Sequence, residues 1–192
     1  GANAFAKGVG IGYGVISSAA TAAAAGTVAV GYEALKNLSS GPGNLAVGFK
    51  ALASCTTGIG NVAVGSGSMA KLTTGDYNTA LGTNALGTNV DGDSNTAIGY
   101  QSMKTFEAAS DGDGANTAVG YYASNANAGG EKNTSVGYQS HLNITGTSEN
   151  TLIGYQAGRG QSGEAGGHAN TVVGKGAFYQ WTTGGQNVLM GK

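Results

Sequence analysis

Apolar residues in this chain fall in short triplets at a fixed stride, with no stripe at helical spacing. Each triplet follows Asn or Thr and closes on Gly: "TVAVG", "NLAVG", "NVAVG", "NTALG", "NTAIG", "NTAVG", "NTSVG", "NTLIG", "NTVVG" and "NVLMG". The closing glycines are Gly31, Gly48, Gly65, Gly82, Gly99, Gly120, Gly137, Gly154, Gly174 and Gly191, with steps of 17, 17, 17, 17, 21, 17, 17, 20 and 17. A stride this regular is a structural repeat. "GVGIGYG" at Gly8–Gly14 reads as a degenerate first copy.

Within a copy, "NTAIG" is β-prone, "Y-x-A/S-L/M" adds a second apolar patch, and "TTG" or "DGDS" supplies turn formers. Two short strands and two turns fill the unit, leaving no room for a useful helix. The pattern predicts an all-β solenoid over the single domain 1–192, with one coil per copy stacked at the ~4.8 Å spacing of paired strands. About eleven coils give a rod of roughly 50 Å.

Strand alternation then assigns faces. Pairs such as Val62/Val64, Thr79/Leu81, Thr96/Ile98, Thr117/Val119, Thr134/Val136 and Thr151/Ile153 are expected to point into the coil. The residue between them, Ala29, Ala46, Ala63, Ala80, Ala97, Ala118, Ser135, Leu152, Val172 or Leu189, is expected to face out. A small, apolar outward stripe along a thin rod predicts an interface between parallel copies, with cyclic closure. Alternation does not choose between two copies and three. Leu152, Val172 and Leu189 would enlarge that interface and hold the subunits further apart at one end.

Composition narrows the functional classes. Charged residues are 10%, Lys+Arg 9 against Asp+Glu 10, so no basic field is present to hold a nucleic acid. No apolar run, the Ala19–Ala25 tract included, approaches the ~18 residues of a membrane span, and a soluble chain without membrane insertion is expected. "GANAFAKG" lacks the order of a secretory signal. Cys55 is the sole cysteine and reads as a small packed residue.

The repeats resemble the "S-V-A-I-G-x-x-S-x-A" units of trimeric autotransporter adhesin heads, the YadA-like left-handed β-roll, and similar units in phage tail fibres. The resemblance spans Gly8 to Gly191. It implies a parallel homotrimer of left-handed rolls, Val/Ile/Leu inside each roll and Ala towards the threefold axis. A longer unit and Tyr after the glycine set this chain apart from the shorter adhesin repeat and lean towards a tail fibre. The implied setting is extracellular, on a virion or a bacterial surface, with adjoining fibre domains and a host glycan or protein as partners.

Several features are candidates for recognition. Asn44, Asn61, Asn78, Asn95, Asn116, Asn133, Asn150, Asn170 and Asn187 are expected to stack as a structural amide ladder. Exposed Asn and Thr could instead bind sugar or ice, but alternation turns the threonines inward. Tyr32, Phe49, Tyr100, Tyr121, Tyr138 and Tyr155 form an aromatic column broken by Ser66, Thr83 and Lys175, a packing device that could also line a glycan site. Asp76 and Asp93, near Asp91, Asp111 and Asp113, form an acidic turn: either solvated or a calcium site, although EF-hand spacing is absent. The long turns at 105–114 and 159–168 are either simple turn extensions or, as the place where a solenoid varies, its recognition loops. "FYQWTTGG" concentrates Phe178, Tyr179 and Trp181, to thicken the last coil, seat a following domain or meet a receptor.

No catalytic, cofactor-binding or metal residue is assigned. His141 and His168 fall in non-equivalent turns, and a thin roll offers no cleft. "GVGIGYG" lacks the βαβ unit of a dinucleotide loop. "NLS", "NTS" and "NIT" match a glycosylation acceptor only as such short motifs do in any Asn/Thr-rich chain. The expectation is a structural shaft or head segment of a homotrimeric fibre, a phage tail fibre first, an adhesin head or a self-assembling filament otherwise.

Overall fold

The computed structural model describes residues 8–17, 24–108, 114–161, 164–181 and 183–191. Ala19 to Ala23 of the alanine tract, Asp111, Asp113 and parts of both long turns lie outside them. Among the described residues the strands are β1 (Val9–Ile11), β2 (Val28–Val30), β3 (Leu45–Val47), β4 (Val62–Val64), β5 (Thr79–Leu81), β6 (Thr96–Ile98), β7 (Thr117–Val119), β8 (Thr134–Val136), β9 (Ile144–Thr145), β10 (Thr151–Ile153), β11 (Glu164–Ala165), β12 (Thr171–Val173) and β13 (Val188–Met190).

Eleven of these form one parallel sheet in the order β1-β2-β3-β4-β5-β6-β7-β8-β10-β12-β13. Equivalent residues pair throughout, as in Thr79↔Thr96 and Ala80↔Ala97. The chain is a parallel β-solenoid of about ten coils. The "GVGIGYG" segment is a true first copy, since Val9 pairs with Val28 and Ile11 with Val30.

Each coil contains one three-residue strand, where two were expected. The "Y-x-A/S-L/M" patch is a turn whose second and fourth residues after the glycine have positive φ, such as Lys50 (53°) and Leu52 (51°), or Gln101 (52°) and Met103 (49°). The residue before the ladder Asn does the same, as at Tyr77 (57°) and Lys132 (57°). A non-glycine residue there costs about 1–2 kcal/mol. Neighbouring coils offset that cost by accepting the N–H: Lys50 donates to Tyr32 O at 2.8 Å, Leu52 to Ser68 O at 3.0 Å and Tyr77 to Ile59 O at 2.9 Å. A second strand pair, β9 with β11, arises only where the chain departs from its stride.

The closing glycine is obligatory for two reasons. At Gly48 φ is +136°, and an added Cβ would lie 2.6 Å from the carbonyl oxygen of Gly65 on the next coil. Neither the backbone conformation nor the coil spacing admits a side chain.

The face assignment is the reverse of the expectation from alternation. Ala29, Ala46, Ala63, Ala80, Ala97, Ala118, Ser135, Leu152 and Val172 are all 0% exposed and point into the coil. Their neighbours Val62 and Val64, Thr96 and Ile98, Thr134 and Val136 face outward and are half-buried. The reason is thickness. The strand faces the turn column Leu35, Leu52, Met69, Leu86 and Met103, each buried to within 1%. Leu or Met on one wall leaves space for only a methyl group on the other.

Volume compensation is visible at one coil. Where the inner strand residue grows to Leu152, the facing column shrinks to Gly158, whose added Cβ would run into Leu152 Cδ2. Leu152 and Val172, expected to enlarge an outward face, therefore fill the interior, while Leu189 is half-buried. A second interior column runs Leu38, Cys55, Leu72, Asn89, Phe106, Asn127 and Ile144.

Candidate interaction surface

The outward strand face carries two in-register rows. One is aliphatic: Val30, Val47, Val64, Leu81, Ile98, Val119, Val136, Ile153, Val173 and Met190. The other begins with Val28, Leu45 and Val62 and continues as Thr79, Thr96, Thr117, Thr134, Thr151 and Thr171. Among the described residues these threonine hydroxyls have no hydrogen-bond partner. The threonines project outward, so the direction that had argued against a surface role for them is reversed.

The Asn ladder forms as predicted and is interior. Asn61 N–H donates to Asn44 Oδ1 at 2.9 Å, and Asn78 N–H to Asn61 Oδ1 at 2.9 Å. Each amide also reaches the turn of the next coil, Asn61 Nδ2 donating to Gly75 O at 2.8 Å and Asn78 Nδ2 to Gly92 O at 2.8 Å. Asn44 to Asn170 are at most 2% exposed. A buried, fully bonded row presents nothing to a sugar or to ice, and Asn133 of "NTS" is likewise closed to modification.

The aromatic column stacks on one flank, beside the strand face. Tyr13, Tyr32 and Phe49 follow one another at ring-centroid distances of 5.5 and 5.3 Å. Tyr100, Tyr121, Tyr138 and Tyr155 do so at 5.4, 5.3 and 5.1 Å, with interplanar angles of 15° or less. Ring faces are spent on each other within a stack, leaving edges and phenolic oxygens to solvent. Burial in the row, with the neighbouring tyrosines, pushes the Tyr121 phenol up.

The acidic turn is part of the backbone bonding. Asp76 Oδ1 accepts Ile59 N–H at 2.7 Å, and Asp93 Oδ1 accepts Asp76 N–H at 2.7 Å. Carboxylates one period apart thus each hold the preceding coil. Among the described residues no cluster of three or more His, Cys, Asp or Glu could hold a metal ion. Glu107 lies beside this turn, its Oε1 taking Val90 N–H at 3.3 Å, and burial raises its carboxyl above the usual range.

Both long turns return to the solenoid. Asp93 bridges to Gly114, and Glu164–Ala165 pairs with Ile144–Thr145. Trp181 folds inward to 1% exposure, stacks on Phe178 at 5.1 Å and lies 6.0 Å from the His141 ring. Gly160, bridged to Trp181, and Gly166 leave space for Ile144 and for the indole. From that aromatic group only Tyr179 stays exposed.

His141 takes the place that Leu or Met holds in earlier coils, a substitution not singled out from the sequence. It is 0% exposed, with Nε2 2.8 Å from Thr147 Oγ1 and Nδ1 3.3 Å from Ser135 Oγ and 3.4 Å from Ser124 Oγ. No charge faces it among the described residues, and burial pulls its pKa down to about 3. It is a neutral core residue. Cys55 is likewise internal, its thiol pushed up to about 11 chiefly by burial, which keeps it an unreactive filler.

No helix of the described residues is long and apolar enough to cross a membrane. No family model, curated protein or solved structure matches the chain.

Proposed function

We propose that this chain is a structural segment of a homotrimeric fibre, in which parallel left-handed rolls extend and stiffen an extracellular appendage. The owner we favour is a phage tail fibre contributing to host-surface attachment. A bacterial adhesin head and a self-assembling filament are the alternatives. No catalytic role is proposed.

One observation carries this reading: the aliphatic row on the strand face continues from coil to coil yet remains partly exposed in the single chain, at 46% for Leu81 and 39% for Ile153. A continuous apolar stripe of this length marks an interface. Parallel copies about one axis cover it at every level, and closure leaves no apolar edge for further addition. The rows that meet are the aliphatic and Thr positions, in place of the alanines first assigned.

Sedimentation equilibrium tests it. The native protein is expected at three times its 18.7 kDa chain mass, and Ile98→Lys is expected to dissociate it while leaving the circular dichroism of the single chain unchanged. A folded native monomer would overturn the reading. The neighbouring reading frame then separates the owners: virion-attachment or chaperone domains for a tail fibre, a stalk and membrane anchor for an adhesin.

The threonine row favours one second reading. Regularly spaced hydroxyls and methyls on a flat sheet match an ordered lattice such as ice, and that role requires the face to be free. A folded monomer with thermal hysteresis would support it, and a trimer burying the face would exclude it.

A further inference from the structure

The aromatic column is interrupted at a single point within its length, and the interruption has walls and a floor. Phe49 ends one stack and Tyr100 begins the next, 51 residues and three coil steps later, or about 14 Å at the spacing of paired strands. Between them the same position is Ser66 and then Thr83, both exposed. The glycines that precede all four residues remain in unbroken register, with β3 to β6 paired residue for residue. The gap is therefore a missing pair of rings on an intact backbone.

Its lining differs from the rest of the column. Inside a stack each ring lies between two others. Phe49 is covered on one side by Tyr32 at 5.3 Å and Tyr100 on one side by Tyr121 at 5.4 Å, and no ring covers their sides towards the gap. Phe49 is 52% exposed. The hydroxyls of Ser66 and Thr83 have no partner among the described residues. Leu81, next to the floor, is 46% exposed while its row neighbours Val64 and Ile98 are half-buried. Lys50 Nζ lies 5.3 Å from the centroid of the Phe49 ring and 3.7 Å from Glu33 Oε2, so the cation against that wall is already paired.

We propose that this slot is a binding site for a neutral carbohydrate. The Phe49 and Tyr100 rings, neither covered by another ring towards the gap, accept the C–H faces of sugar rings, and the two floor hydroxyls exchange hydrogen bonds with sugar hydroxyls. An apolar lining with a few placed polar groups is the general form of a small-molecule site. The cation against its wall is already paired with Glu33, which disfavours an ionic ligand. Two coil heights are vacant, so the slot takes a ligand about two stacked rings thick.

The test uses saturation-transfer difference NMR on the full chain, with maltose, cellobiose, lactose and N,N′-diacetylchitobiose as probes. At least one disaccharide is expected to receive saturation from the protein. The Ser66→Tyr/Thr83→Tyr double variant completes the stack, so it should bind at least tenfold more weakly with an equal or higher Tm. Phe49→Ala removes one wall and is expected to lose binding as well, which keeps the test decisive if the double variant folds poorly. Tyr138→Ala, in the middle of the other stack, should bind within twofold of the native chain.

Absence of saturation transfer to all four sugars overturns the proposal, as does unchanged affinity in Phe49→Ala. A double variant that folds but loses the native assembled mass would make the slot a seam between copies and also overturn it. A trimer that binds none of the sugars rejects the slot alone and leaves the fibre reading standing.

Discussion

Two stretches of this solenoid share one backbone and differ in what they enclose. From Leu35 to Met103 the interior column is Leu, Leu, Met, Leu and Met, facing alanines. In the next two coils the same column holds Ser124 and His141, His141 with Ser135 and Thr147 as its partners, all within 2% of full burial, whereas in the first stretch the buried polar residues Ser68, Asn89 and Ser102 lie outside that column. Strand register, the glycine turn and the Asn ladder run through both unchanged. The coil shape is thus fixed by hydrogen bonds between equivalent backbone groups. The interior need only fill its volume and satisfy its polar atoms.

That contrast can be broken at several levels, the largest first. The closing glycine serves both stretches, so Gly48→Ala and Gly137→Ala should be equally severe, each costing more than about 4 kcal/mol as a backbone clash at forbidden φ. Urea unfolding followed by circular dichroism measures this. A mild effect at either position would show that the stretches do not share a constraint.

The apolar column should resist polarity where the other stretch accepts it. Leu86→Ser is expected to cost about 3–5 kcal/mol, from the lost burial, the residual cavity and an unpaired hydroxyl. The same urea titration checks it. A cost below about 1 kcal/mol would mean that the apolar filling is incidental.

Acid should separate the two stretches in one molecule. His141 stays neutral when folded down to about pH 3, whereas in the unfolded chain it takes a proton near pH 6.5. Its contribution is complete above about pH 6.5 and is lost as pH falls towards 3, reaching roughly 3 kcal/mol by pH 4. Hydrogen exchange at pH 4 is expected to open residues 124–147 while 35–103 stay protected. His141→Leu should flatten that slope, although it strands the hydroxyls of Ser124, Ser135 and Thr147 and so starts less stable at pH 8, by about 1–3 kcal/mol.

The surface column should matter least. Tyr138→Ala removes one half-exposed ring from a stack and is expected to cost about 1 kcal/mol, read as a small shift in the urea midpoint. A much larger loss would place the aromatic ladder among the determinants of the fold.

Much of this was legible in the chain itself. The 17-residue stride, the closing glycine and the recurring Asn specify stacked coils, because a unit too short to bury its own faces must bury them on its neighbours. Asn78 and Asn95 were readable as ladder members because identical amides at a constant stride can only stack. The direction of each strand side chain was not. Alternation separates Thr96 and Ile98 from Ala97 but gives no sign of which set lies inside, and size is a misleading guide when the interior is one side chain deep. The inner set was decided by the opposite wall, where Leu86 or Met103 fills the space that a branched strand residue would need. The pairing of Leu152 with Gly158, the His141 cluster with Trp181 beside it, and the gap between Phe49 and Tyr100 depend likewise on which residues the winding brings face to face. A repeating sequence thus fixes how the coils stack, whereas the thickness of the coil, a property of the folded chain alone, decides what each side chain meets.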